Sequence, residues 1–165
     1  MWNLDPISEA RLQSVMPQLA AKIRQMAEIL ALDPKPIKLV VSSGFRSWPE
    51  QDLLYAEGRT LPGRIITNAK GGESWHCYGT AVDCEPEIKD GTIDWNGEHW
   101  QWKRMEEVAV SLGLTSGANW LRLIDAPHIQ WTGKFPIDKP DDEARQIYTD
   151  HGMEAFWQEI GGTIG

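Results

Sequence analysis

Apolar and polar positions change period several times along this 165-residue chain, and each change marks an element. After a short N-terminal helical turn, Leu19, Ile23, Met26 and Leu30 recur at helical spacing behind Pro17, a residue suited to the first turn of a helix. Pro34 and Pro36 stop that helix. Ile37-Lys38-Leu39-Val40-Val41 is short and β-branched, which predicts a strand ending at Ser42-Ser43-Gly44. Ser47-Trp48-Pro49-Glu50 has the form of a capping box and opens a helix through about Ala56, closed by Gly58. From Arg59 to Gly72 no apolar period is sustained. A loop of that length in a compact domain usually lines a site. Thr80 to Cys84 reads as a buried strand, Asp90-Gly91 as a hairpin turn, Trp100 to Leu112 as a helix ended by Gly113, and Ile129-Gln130-Trp131 as a last central strand. From Pro140 onward the pattern predicts one or two short helices and a Gly-rich tail.

With neither a repeat nor a low-complexity tract, this succession predicts a single α+β domain over residues 1–165. Composition narrows what such a domain does. Acidic residues outnumber basic ones by 24 to 16, a net charge of -8, which speaks against a nucleic-acid partner. The two Cys are too few for a disulfide framework or an all-Cys metal site. The N-terminal MWNLDPISEARLQSVM lacks the basic stretch and apolar run of a secretion signal, and no window is long enough to span a membrane. The expectation is a soluble, monomeric product of the cytoplasm, without stable membrane association, that needs some other release to act outside it. The nine Trp outnumber Phe and Tyr combined, pointing to a Trp-rich core or to stacking platforms for ligands.

Two of the four His stand in distinctive settings: Ser74-Trp75-His76-Cys77-Tyr78-Gly79-Thr80-Ala81-Val82-Asp83, and Asp125-Ala126-Pro127-His128-Ile129-Gln130. Two imidazoles and one carboxylate make a three-ligand set for Zn²⁺ with a fourth position open, the arrangement of a catalytic zinc. Asp125, three residues before His128 across a Pro-containing turn, is placed to act as a base there. His99 and His151, near helix ends, read as structural. Cys77 and Cys84 flank two proposed ligands, but Cys84 should face away from the metal because neighbouring strand residues point to opposite faces.

Five tracts occur in one order: Ser43-Gly44-Phe45-Arg46-Ser47; Gln51 followed by Leu54-Tyr55-Ala56; Gly58-Arg59-Thr60 with Pro62-Gly63; Ser74-x-His76-x-x-Gly79-x-Ala81-x-Asp83; and Pro127-His128-x-Gln130. Together they resemble the M15 zinc peptidases, in particular the L-alanyl-D-glutamate endopeptidases found among phage endolysins and bacterial cell-wall hydrolases. The resemblance covers about Leu19 to Trp131. It implies a small antiparallel central sheet flanked by helices, as in Hedgehog and D-Ala-D-Ala peptidase domains. It puts the core at about 17–132, with a C-terminal helical extension over 133–165. It also implies one zinc ion held by His76, Asp83 and His128, Asp125 as catalytic acid/base, and Arg46 in the site, stabilising an oxyanion or clamping a carboxylate. Asp rather than Glu at position 125 favours the endopeptidase branch. Gln51 and Ser74 are candidates for substrate binding, with polar structural roles equally open. The implied partner is the peptidoglycan stem peptide, reached by a phage or prophage enzyme after holin-type release. Two alternatives are a D,D- or L,D-carboxypeptidase and a zinc-containing wall-binding module that does not cut. The chain departs from the family pattern at Ser116-Gly117-Ala118-Asn119-Trp120, where relatives commonly have Trp-Gly-Gly-Asp-Trp, and at Ile129, where an aromatic is usual. Trp75, Trp120 and Trp131, beside the motifs, are candidate cleft walls, and the remaining Trp are expected in the core.

Overall fold

A computed structural model describes residues 4–89, 91–120 and 125–161. Asp5 caps α1 (Pro6–Leu12) by accepting from the amides of Ile7 and Ser8. Helix α2 (Pro17–Ala31) starts at its proline and buries Leu19, Ile23, Met26 and Leu30 completely, the stripe its period predicts. Strand β1 (Lys38–Ser43) follows. Both halves of the capping box are made at the start of α3 (Trp48–Ala56), with the Ser47 hydroxyl accepting from the Glu50 amide and the Glu50 carboxylate accepting from the Ser47 amide. The remaining elements are a 3-10 turn (Trp75–Tyr78), β2 (Ala81–Lys89), β3 (Thr92–Ile93), α4 (Trp100–Ser111), β4 (Thr115–Ser116), a second 3-10 turn (Gly117–Asn119), β5 (His128–Gln130) and α5 (Asp142–Glu159).

The strands form one sheet in the order β1-β2-β5-β4, with β3 paired to β2, and every pairing is antiparallel. This is the expected α+β architecture. Helix α1 covers the outer edge of β1, where the Ser8 hydroxyl accepts from the Val41 amide at 2.9 Å and Arg11 donates to the Val41 carbonyl at 2.7 Å. The core is built on α2, β1, β2 and the first 3-10 turn. No helix among the described residues is long and apolar enough to cross a membrane.

Several elements differ from the sequence reading. Strand β2 runs five residues beyond Cys84, because its outer half is held by partners rather than by apolar alternation. Lys38 pairs with Glu87 at 2.8 Å, and Ser42 with the buried Glu85 at 2.5 Å. Strand β4 is only two residues long, too short for any period to betray it. Of the expected hairpin turn, Asp90 lies outside the described residues, and Gly91 has φ 84° beside the β2–β3 ladder. The C-terminal segment does form helix as expected, in two stretches separated by non-helical backbone at Gly152 (φ 83°, ψ 179°), and residues 162–165 of the expected tail lie outside the described residues. The segment read as an extension is built into the core: Phe156 stacks against Phe135 and packs on Trp75 and Tyr78, with ring centroids 5.1–6.2 Å apart. The tryptophans divide differently from expectation. Trp102 and Trp157 are buried, but Trp95, between β3 and α4, and Trp100, the first residue of α4, are 70% and 45% exposed.

Candidate active site

The β2–β5 register decides where the polar side chains meet. Asp83 and His128 are direct partners in the antiparallel ladder, so their side chains leave the same face of the sheet side by side. Cys84 points the other way into the core, fully buried, and Cys77 is likewise buried and unpaired; burial pushes both thiols up. His76 arrives from the turn before β2. The Ser74 hydroxyl caps that turn by accepting from the His76 amide, and Gly79 ends it in the left-handed conformation (φ 66°). A Cβ at Gly79 would also meet the Trp157 ring at 2.9 Å, so glycine answers both the backbone and the packing there.

Each imidazole is oriented by its far nitrogen. His76 Nδ1 donates to the Gly44 carbonyl at 2.8 Å, and His128 Nε2 donates to the Gln130 side-chain oxygen at 2.7 Å. Gln130 is fixed in turn by donating to the Ile137 carbonyl at 2.6 Å. These anchors turn His76 Nε2 and His128 Nδ1 toward Asp83 Oδ1, at 3.2 and 3.6 Å. One ligand atom from each of the three residues lies within 4.8 Å of the others. Two imidazole nitrogens and a carboxylate oxygen aimed at one point, each imidazole tied behind by a hydrogen-bond acceptor, fit a zinc ion with room for a further ligand. Burial would raise the Asp83 carboxyl, but the adjoining imidazoles outweigh it and hold the acid well below the usual range. For His128, burial disfavours the cation and Asp83 outweighs it, so its pKa is raised.

The three side chains sit in a cleft of about 540 Å³ that Arg46, Ser74, Trp120 and Asp125 also line. Arg46 leaves the end of β1, donates to Ser43 Oγ at 3.0 Å and to Gln51 Oε1 at 2.8 Å, and lies 3.7 Å from Asp83 Oδ2. Asp125 is held by a backbone turn: its amide donates to the Gly117 carbonyl at 3.0 Å and its own carbonyl accepts from the His128 amide at 3.1 Å. Burial, then the negative charge of Asp83, raises the Asp125 carboxyl, as suits a group that must both take and return a proton. Gly117 makes this turn possible, because a Cβ there would stand 2.4 Å from the Asp125 carbonyl oxygen.

Of the other expected residues, Ser74 is on the cleft wall with its hydroxyl engaged in capping, whereas Gln51 is 1% exposed behind Arg46. The long loop does reach the site, its Ile66 to Ala69 forming one wall. Trp75 and Trp120 line the cleft, the Trp120 ring 5.0 Å from that of His128, while Trp131 stacks under Lys22 elsewhere. His99 pairs with the buried Asp94 and takes no part. Two residues beyond the sequence reading matter here. Gln130 orients His128, and two-residue strand spacing was the available signal. Glu85, two residues after Asp83 on the same face, is a buried carboxyl pushed up to about 7 by burial, with Ser42 opposing the shift; no sequence signal distinguished it from a solvated strand acid.

The comparisons with known proteins agree with this geometry. Residues 67–131 match an M15 peptidase family model described as D-alanyl-D-alanine carboxypeptidase. The chain is 42% identical over 117 residues to the peptidoglycan L-alanyl-D-glutamate endopeptidase CwlK of Bacillus subtilis, covering 66% of this chain and 70% of that protein. The chain belongs to the M15 peptidase family. Two solved carboxypeptidases share the M15 fold at low sequence identity. The LD-carboxypeptidase LdcB aligns with a TM-score of 0.54 at 18% identity, covering 88% of this chain and 69% of LdcB. The Streptococcus L,D-carboxypeptidase DacB aligns at 0.51 and 19%, covering 90% and 79%. As an M15 peptidase the chain is a hydrolase of peptide bonds, and His76, Asp83 and His128 all fall within the matched segment.

Proposed function

We propose that this M15 peptidase is a zinc enzyme that cuts the L-Ala–D-Glu bond of peptidoglycan stem peptides. The observation that carries the reading is the convergence of two back-anchored imidazoles and one carboxylate in a cleft whose rim holds a half-buried acid, Asp125. The choice of bond is supported by the 42% identity to an L-alanyl-D-glutamate endopeptidase. His76, Asp83 and His128 would hold the ion. Zinc bound there supplies Lewis acidity, polarising the scissile carbonyl and acidifying water. Asp125, its carboxyl raised by burial and by Asp83, accepts the proton of the attacking water and returns it to the leaving amine. Arg46 donates toward the carbonyl oxygen as it gains negative charge. Ser74 keeps His76 at its angle by capping the turn that carries it. The phage or prophage lysis setting follows from the resemblance alone, and lysis of permeabilised cells by added protein tests it.

Digestion of purified peptidoglycan followed by mass spectrometry decides the activity. New peptides with N-terminal D-Glu, lost on chelation and restored by zinc, are expected. Release of terminal D-Ala would instead assign a carboxypeptidase, the activity in the family model's description. Zinc and wall binding without any cleavage would assign a binding module. Asp125→Ala is expected to keep its zinc and lose turnover by about a hundredfold or more; near-normal hydrolysis by that variant would overturn the acid/base role.

A further inference from the structure

We propose that Gln51 is a positioning residue that clamps the Arg46 guanidinium and ties it to the wall of the cleft, rather than a contact for substrate. This rests on the reading of Arg46 given above. Gln51 lies in the first turns of α3, 1% exposed, and both ends of its amide are committed. Its oxygen accepts from Arg46 Nη1 at 2.8 Å, and its nitrogen donates to the Ala69 carbonyl at 2.9 Å. Only this orientation of the amide works. The reverse would set an NH₂ against a guanidinium, which cannot accept, and an oxygen against a carbonyl, which cannot donate.

The clamp matters because of what else Arg46 touches. Its Nη2 donates to Ser43 Oγ at 3.0 Å and lies 3.7 Å from Asp83 Oδ2. Without Gln51, the strongest remaining attraction on the guanidinium is the Asp83 carboxylate, which the metal site needs for itself. Gln51 therefore holds the cation off the ligand and turned toward the cleft. Its own position is secured by the capping box that starts α3 and by its amide donating to the Ser47 carbonyl at 2.9 Å, while the Arg46 backbone is held by its amide donating to the His76 carbonyl at 3.1 Å. Ala69 is part of the loop wall, so the same side chain sets the separation between Arg46 and that wall.

The test uses the zinc-loaded enzyme with a synthetic stem peptide containing L-Ala–D-Glu. Gln51→Leu removes both hydrogen bonds at similar volume and is expected to lower kcat by about tenfold to a hundredfold with KM unchanged. In an Arg46→Ala background the same substitution is expected to add no further loss. Gln51→Glu keeps an acceptor for Arg46 but loses the donor to the Ala69 carbonyl, and is expected to retain a kcat between those of Gln51→Leu and wild type, which also serves if the leucine variant fails to fold. A raised KM with intact kcat, or an equal fractional loss in the Arg46→Ala background, would overturn the proposal. Side-chain NMR of the metal-free protein gives an activity-independent readout: separate, slowly exchanging Arg46 Nη–H signals in wild type and in Gln51→Glu, averaged signals in Gln51→Leu. Averaged Arg46 signals in wild type would refute the clamp. Slow signals together with no hydrolysis of the peptide by wild type would refute the function proposed above and leave the clamp standing.

Discussion

Asp125 is set in place by a glycine eight residues earlier. Gly117 presents its carbonyl to the Asp125 amide at 3.0 Å, and an added Cβ would meet the Asp125 carbonyl oxygen at 2.4 Å and the His128 Cβ at 3.1 Å. Backbone atoms cannot yield as a flexible side chain does, so Gly117→Ala must push the turn outward. A misplacement near 1 Å is enough to cost about a hundredfold in rate. The expected result is a kcat lowered to that extent with one zinc still bound per chain, read by steady-state kinetics beside metal analysis. At this scale most of the site was legible. His76, Asp83, His128 and Asp125 stood out by residue type and spacing, and the structure brings all four into one cleft. Gln130 carried the two-residue spacing of a strand neighbour of His128, whereas Glu85 was not legible, because a Glu in a strand looks the same in sequence whether it faces water or the interior.

Helix α5 acts on the site at one remove, by clamping the 3-10 turn that carries His76. The Trp157 indole donates to the Tyr78 carbonyl at 2.8 Å, its ring covers Gly79, and Phe156 packs on Trp75 and Tyr78. Trp157→Ala opens a cavity under that turn and leaves the Tyr78 carbonyl without its donor. A loss of about 3–5 kcal/mol is expected from urea unfolding, with weaker zinc binding in the same variant. Helices α2, α3 and α4 were readable from period and caps because their signals are local: Pro17 and the Ser47–Glu50 box need no distant partner. The outer half of β2 was not readable, since Pro86 and three charged residues obscure the alternation, and the ladder with β1 is what keeps it a strand.

For the molecule as a whole, the metal site joins the 3-10 turn, β2 and β5, so an ion bound there cross-links segments more than forty residues apart in sequence. Binding to the native state alone must raise stability, by about 2.7 kcal/mol at a free zinc concentration one hundred times Kd. Calorimetry is expected to show Tm rising with zinc, falling on chelation, and insensitive to zinc in His128→Ala. An unchanged Tm across zinc concentrations in wild type would contradict the three-residue site. The nine tryptophans show the same division between local and global information. Their abundance predicted a Trp-rich core or stacking surfaces, yet only the packing decided that Trp75 and Trp120 line the cleft while Trp95 and Trp100 face solvent. By itself the sequence determined the helices with local caps, the α+β class and the identity of the chemistry-bearing residues, because residue type and short-range period carry that information. Tertiary structure alone decided that Asp83 and His128 face each other across a ladder, that Gly44 and Gln130 aim the two imidazoles, and that Gln51 is buried behind Arg46. Those outcomes depend on the register and closure of segments far apart in the chain, which no local pattern encodes.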